Sequence, residues 1–173
     1  MDIKEDKLVD FSNEETIVGL DEDSSPKMIT IECGTEKQPF YIEKDYLNIS
    51  KLFVRVFEQD PTTTVIQSTS VTPSVFSEIL KYMNHHKGVD PPVIEYPAKS
   101  ANMSENCNDP WDATFIDTLW NQSKKLYYEV FNTANFLEIQ SLVYLCACKI
   151  GTVIINCTSD NVANVLIPEN VSK

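Results

Sequence analysis

The sequence predicts a mixed α/β (α+β) fold, with a small sheet near the N-terminus and helices around and after it. Two segments, "KMITIEC" and "PFYIEK", alternate apolar and polar residues and are separated by a short turn, which is typical of a β-hairpin. A stretch beginning "TPSVF" combines helix-start residues with apolar residues at helical spacing. Beyond residue 110, nearly all apolar residues recur with the helical period. The strands therefore precede most of the helices.

The first half of the domain is predicted to contain, in order, two strands, a helix, a third strand and a second helix. Residues 45–59 place apolar side chains at helix-compatible offsets, and residues 62–68 indicate a short third strand. Thr72 is a good N-cap, and Pro73 suits the first helical position because its missing N–H has no partner there. We predict that this helix ends with Gly88 as a left-handed C-cap.

A long loop and then four helices are expected in the second half. Residues 88–110 contain four prolines and many polar residues, which favour a loop. One helix is predicted to start at Pro110, a second is capped by Ser123, and a third begins near Glu138. The last helix is short and ends before Pro168. Its predicted cap is one of three polar residues, Thr158, Ser159 or Asp160.

The chain length and composition predict one domain with extensions. The first 26 residues carry nine acidic residues against two lysines, so we expect a flexible acidic leader. The resulting division is a leader at 1–26, an N-terminal part at 27–87, a loop at 88–110, C-terminal helices at 111–168 and a tail at 169–173.

Charge and composition exclude several classes of function. The formal net charge is -12 and the dispersed lysines and arginines form no basic stripe, so we expect no nucleic-acid binding. No apolar run is long enough to span a membrane, and no membrane partner is expected. The five cysteines lack the spacing of a disulfide framework, which indicates reduced thiols in a cytoplasmic or nuclear protein.

The chain has two histidines, His85 and His86, which lie side by side late in a predicted helix. Metal ligands on one helix usually lie three or four residues apart, whereas adjacent side chains diverge by about 100°. No acidic residue is spaced to complete a site with either histidine. We interpret both as polar residues near a helix C-terminus and predict no metal site and no cofactor. A metal-dependent protein using these histidines and cysteines is the alternative.

No constellation indicates an enzyme. Cys146 and Cys148 lack the spacing of a zinc or redox motif, and Cys146 falls on the apolar stripe of a helix, so we predict a packing role. Asp112 and Asp117 are interpreted as acids on a solvated helix face. The sequence contains no nucleophile elbow and no phosphate-binding glycine loop. We therefore predict no catalytic residues.

The C-terminal helices contain more apolar residues than one helix face can bury. The segment "LYYEVFNTANFLEIQSLVYLCACKIGTVII" distributes aromatic and aliphatic residues around its helices. Because burying a large apolar side chain is worth about 1.5–3 kcal/mol, exposure of several would strongly favour association. Either these helices are central in a packed domain or one side binds a partner.

Three separated segments carry a family resemblance: "ILKYMNHHKGVDPP" (79–92), "PWDATFID" (110–117) and "ANFLEIQSLV" (134–143). In their order and spacing the chain resembles the Skp family, the adaptors that join F-box proteins to cullins in SCF ubiquitin ligases. The resemblance is closest from residue 111 to 167 and looser from 27 to 87.

The resemblance implies a BTB/POZ-like domain followed by partner-binding helices, with no enzymatic activity. It implies that Asn135 and Phe136 contact the N-terminal domain of a cullin. It also implies that five apolar residues contact F-box proteins: Val143, Ile150, Ile154, Val162 and Leu166.

The sequence departs from the family pattern near its C-terminus. Ser159 stands where the family usually has a proline, and the family's charged stretch and final helix are not found after Pro168. In the family, that helix completes the surface that binds the F-box. An alternative is therefore a divergent BTB-like interaction module that has lost F-box binding and self-associates or serves another complex.

Overall fold

The computed structural model describes residues 27–168, so the predicted leader and tail lie outside the described residues. The N-terminal part contains β1 (Met28–Cys33), β2 (Gln38–Glu43), a 3-10 helix (Lys44–Ile49), α1 (Lys51–Gln59), β3 (Val65–Ser68) and α2 (Pro73–His86). The C-terminal part contains a second 3-10 helix (Met103–Glu105), α3 (Pro110–Gln122), α4 (Lys124–Phe136), α5 (Gln140–Ile155) and α6 (Val162–Leu166).

The sheet has three strands in the order β2-β1-β3. β1 pairs with β2 as the predicted antiparallel hairpin, and β3 pairs with the other edge of β1 in parallel. Because side chains alternate along a strand, β1 buries Ile29, Ile31 and Cys33 on one face. The opposite face carries a cross-strand row in which Tyr41 and Val65 flank Thr30, and both flanking side chains are about half exposed or more.

The helices complete a core against the inner face of the sheet. α2 buries Phe76, Ile79 and Tyr82, α4 packs against α2, and α5 packs against α4. The hydroxyl of Tyr127 on α4 donates a 2.5 Å hydrogen bond to the carbonyl of Cys146 on α5, which joins these two helices inside the core. This mixed α/β arrangement confirms the predicted fold class and is consistent with a BTB-like domain. The C-terminal helices are therefore central to the packed domain.

Two predicted helix boundaries in the N-terminal part are wrong. The single helix expected over 45–59 is divided at Ser50, whose extended backbone separates the first 3-10 helix from α1. At the end of α2, Lys87 is the first residue in the left-handed region, with φ of 50°, and Gly88 follows at 80°. Thr72 occupies the predicted N-cap position of α2, but its side chain makes no capping hydrogen bond.

The ends of the C-terminal helices also differ in part from expectation. α5 begins at Gln140 because Glu138 has a φ of 55°, a left-handed value that a helix interior does not contain. Asn161 is the N-cap of α6, and its side-chain oxygen accepts from the N–H of Thr158, so none of the three predicted residues is the cap. Within residues 27–168, no helix has both the length and the hydropathy needed to cross a bilayer.

Candidate functional site

The last turn of α4 exposes the two residues that the resemblance assigns to cullin binding. Ala134 and Leu137 face the core, which leaves Asn135 and Phe136 on the outside of the turn. The Phe136 side chain is 54% exposed, an unusual position for a large aromatic residue. Aromatic residues are enriched at protein–protein interfaces. We call Asn135, Phe136 and the turn that follows them the α4–α5 turn surface.

The turn is held in one conformation by its own backbone. The N–H of Leu137 donates to the carbonyl of Thr133, and the N–H of Ile139 donates to the carbonyl of Ala134. Glu138 lies between these bonds in the left-handed conformation that reverses the chain. The exposed residues are therefore presented by a fixed turn.

α1 supports the same turn from the N-terminal part of the chain. The Arg55 guanidinium forms a two-bond ion pair with the Glu138 carboxylate at 2.8 and 2.5 Å. This hydrogen bonding lowers the pKa of Glu138 below its ordinary value. The N–H of Lys51 also approaches the carbonyl of Glu138 at 3.4 Å. The turn thus depends on contacts with residues more than 80 positions earlier in the chain.

Ser50 forms the buried hydrogen bond between the start of α1 and the turn after α4. Its side-chain oxygen donates to the carbonyl of Leu137 at 2.5 Å and accepts from the N–H of Phe53 at 3.3 Å. The second bond makes Ser50 the N-cap of α1. One fully buried hydroxyl therefore supplies a hydrogen-bond partner both to an N–H at the start of α1 and to a carbonyl at the end of α4.

Replacing Ser50 with alanine is expected to destabilise the protein by about 2 kcal/mol, because it removes a helix cap and leaves a buried carbonyl without a donor. Urea unfolding followed by circular dichroism measures this free energy. Ser123, the N-cap of α4, is the matched control, since its side-chain oxygen caps its own helix by accepting from Leu126. Ser123→Ala is expected to cost about 1 kcal/mol. An equal loss for both variants would contradict the bridging role of Ser50.

A second exposed apolar surface lies at the other end of α5. Ile154 and Ile155 in the last turn of this helix are 45% and 50% exposed, and Ile167 after α6 is 50% exposed. α6 packs against α5 and is held to α4 by the Tyr128 hydroxyl, which donates to the carbonyl of Leu166 at 2.9 Å. We call this group, with the half-buried Val162, the α5–α6 surface.

The structure separates the five residues that the resemblance assigns to F-box binding. Ile154, Val162 and Leu166 belong to the same end of the molecule, although Leu166 also packs on the core. Val143 and Ile150 are half-buried and lie earlier on α5, where they contact the core. Ile155 and Ile167 are exposed at the same end of the molecule but are not among the residues that the resemblance assigns.

The prediction that no acidic residue accompanies the two histidines at the end of α2 is wrong. His85 Nε2 lies 2.7 Å from a carboxylate oxygen of Asp109, and His86 Nε2 lies 2.8 Å from Asp112. Both acids are at the start of α3, so acidic partners do exist but come from another element. Asp112 is buried, and its interpretation as a solvated acid is wrong. His86 is buried with it, while His85 stacks on the Trp111 ring.

The thiols have the environment of packing residues. Cys146 and Cys148 are fully buried, which confirms their predicted role in packing. Cys107 lines a cleft of about 210 Å³ between α2, α5 and the long loop. Burial raises the pKa of the Cys107 thiol to about 12 and that of Cys33 to about 11. These two thiols therefore stay protonated near neutral pH and are not activated nucleophiles.

Comparison with known proteins identifies a relative that matches most of the chain. The chain is 32% identical over 140 residues to the S-phase kinase-associated protein 1 homolog of Tetrahymena thermophila. The alignment covers 78% of this chain and 82% of that protein. No protein-family model matches the chain. The similarity therefore extends well beyond a single motif.

Proposed function

Because the chain belongs to the Skp family, we propose that it is a non-catalytic adaptor of an SCF-type E3 ubiquitin ligase. In this role it bridges the N-terminal domain of a cullin to F-box substrate receptors. It thereby serves ubiquitin-dependent protein degradation in the cytoplasm or the nucleus. The acidic character of the chain fits partners that are proteins and not nucleic acids.

The observation that carries this proposal is the presence of two exposed apolar surfaces at opposite ends of α5. The α4–α5 turn surface lies just before Gln140, and the α5–α6 surface begins at Ile154. With a helical rise of 1.5 Å per residue, the two ends are about 21 Å apart. Two partners can therefore bind the same molecule without competing for one surface.

The cullin is assigned to the α4–α5 turn surface. Phe136 supplies an exposed aromatic ring, the kind of side chain that commonly anchors a protein interface. Asn135 beside it can donate and accept hydrogen bonds at the rim. The contacts of Ser50 and Arg55 hold this turn in place before binding, which reduces the entropy lost on association.

The F-box partner is assigned to the α5–α6 surface. Ile154, Ile155 and Ile167 offer aliphatic side chains that an amphipathic helix can cover. At about 1.5–3 kcal/mol for each fully buried side chain, three such residues supply a substantial part of a binding free energy. Val162 and Leu166 are half-buried and add further apolar side chains to this surface.

The mechanism of such an adaptor is geometric. α5 packs against α3 and α4, so the two surfaces belong to one rigid body. A substrate held by the F-box protein then stays at a fixed distance from the cullin. This raises the effective concentration of substrate at the catalytic module without any chemistry in the adaptor.

The proposal is tested by measuring the affinities of the purified chain for a cullin N-terminal domain and for an F-box peptide. Wild type is expected to bind both. Ile154→Asp should weaken F-box binding by at least about tenfold, because it replaces buried apolar area with a charge, and should leave cullin binding unchanged. Thr118→Asp adds the same charge at an exposed position on α3, on the side facing α2, and is the matched control. Failure of wild type to bind either partner would reject the adaptor function.

A second candidate is a BTB-like module that self-associates instead of binding an F-box protein. It is supported by the row of Tyr41, Thr30 and Val65 across the outer face of the sheet, where Tyr41 is 65% exposed. Light scattering separates the candidates. A concentration-independent monomer favours the adaptor, whereas a stable dimer that binds cullin but no F-box peptide favours self-association.

A further inference from the structure

The end of α2 and the start of α3 bring together imidazole and carboxylate groups that the two proposed partner surfaces do not use. One ligand atom from each of His85, His86 and Asp109 lies within 4.8 Å of the others. Among residues 27–168, no other group of three histidine, cysteine, aspartate or glutamate residues has this proximity. Two imidazoles and one carboxylate match the donors that zinc prefers in protein sites.

The distances are close to those of a tetrahedral site. Two ligands that each lie about 2.0–2.1 Å from a shared zinc ion are about 3.3 Å apart. His85 Nε2 and an oxygen of Asp109 are already 2.7 Å apart, so a cation requires only a small separation of this pair. His86 must approach by roughly 1.5 Å at most from the upper limit of 4.8 Å to reach the same spacing.

Neighbouring groups fix the orientation of these side chains. The second carboxylate oxygen of Asp109 accepts from the N–H of Trp111 at 2.8 Å, which directs the other oxygen toward His85. The His85 ring stacks on Trp111 with centroids 4.0 Å apart and planes 8° apart. Asp112 holds His86, as the supporting carboxylates of metal-bound histidines do. These contacts preorganise the group.

The group is also open to entry from water. His85, His86 and Asp109 line a cleft of about 530 Å³ at the surface, together with the start of the long loop. The side chains of His85 and Asp109 are 31% and 35% exposed. Asp90 stands in the wall of the same cleft and adds negative charge near the site. A divalent cation can therefore reach the donors without opening the core.

We propose that His85, His86 and Asp109 form a zinc-binding site, with a remaining coordination position open to water. Zinc bound there links the C-terminal end of α2 directly to the N-terminal end of α3. The long loop between these helices is thereby closed by a metal as well as by the contact between His86 and Asp112. This role is independent of cullin and F-box binding.

The test is a zinc titration of the full chain, followed by ¹⁵N spectra of the imidazole nitrogens. Since the chain has two histidines, their signals can be assigned by substitution. Zinc is expected to shift ring-nitrogen signals of both, whereas magnesium at the same concentration should shift neither, because it prefers oxygen ligands. His85→Gln is expected to weaken zinc binding by at least about tenfold.

Two controls separate this site from other binding and from unfolding. Asp117→Asn changes another α3 carboxylate, which pairs with Lys149, and should retain the affinity for zinc. Because His86 is buried, the partly exposed His85 is the variant of choice, and its circular dichroism should match wild type. Zinc that binds while both imidazole signals stay unchanged would assign binding to the thiols and overturn the proposal. Undiminished affinity in His85→Gln, or no zinc binding, would also overturn it.

Discussion

Replacing Gly88 with alanine is expected to destabilise the fold by about 3–5 kcal/mol, and urea unfolding measures this loss directly. Gly88 has a φ of 80°, which costs a residue with a Cβ about 1–2 kcal/mol. An added Cβ would also lie 2.0 Å from the backbone carbonyl oxygen of Asp45. Backbone atoms cannot rotate away as a side chain can, so the 3-10 helix and the end of α2 would have to separate.

Lys87 provides the matched control for this prediction. It also has a left-handed backbone, with a φ of 50°, but it is exposed. Lys87→Gly is expected to maintain stability or to increase it by up to about 1 kcal/mol, because glycine adopts this conformation without steric cost. An unchanged unfolding midpoint in Gly88→Ala would show that the approach to Asp45 does not constrain the fold.

Replacing Asn135 and Phe136 with lysine is expected to reduce the affinity for a cullin N-terminal domain by about 100-fold or more while F-box binding persists. The change removes an exposed aromatic anchor and introduces two charges at the centre of the proposed interface. A loss of about 2.8 kcal/mol corresponds to 100-fold. Isothermal titration calorimetry with each partner in turn measures both affinities on the same protein.

The control for this double variant must add the same charge elsewhere. Asn121 and Gln122 are exposed at the end of α3, and changing both to lysine leaves the α4–α5 turn surface intact. This variant is expected to bind the cullin domain within about twofold of wild type, since exposed charges far from an interface change its energy little. Equal losses in the two double variants would indicate a general charge effect and reject the assignment of the surface.

The sequence predicted the elements whose signals are local. Ser123 caps α4 by accepting from Leu126, and proline occupies the first turn of both α2 and α3. The hairpin pairing follows from alternation and a short turn. These features depend on residues within one turn or two strands, so a linear pattern contains the necessary information. The exposure of Phe136 followed from the family resemblance and is observed in the structure.

The features that were missed depend on contacts between distant residues. Ser50 interrupts a helical pattern with an extended backbone, and its hydroxyl bonds to Leu137, 87 positions later. His85 and His86 pair with acidic residues that lie 24 and 26 positions later in the chain, Asp109 and Asp112. Helical spacing cannot reveal such a pairing. Such contacts require the three-dimensional arrangement of the chain, which periodicity does not describe.

The position of both surfaces on α5 restricts which insertions and deletions the protein tolerates. Each residue added to the middle of α5 would move one surface by about 1.5 Å and rotate it by about 100° relative to the other. A single-residue insertion would therefore turn a bound partner to a different side of the complex. The loop between α2 and α3 is under no such geometric restriction at its exposed positions and can vary in length more freely. Length variation among relatives should consequently concentrate in this loop and be rare in α5.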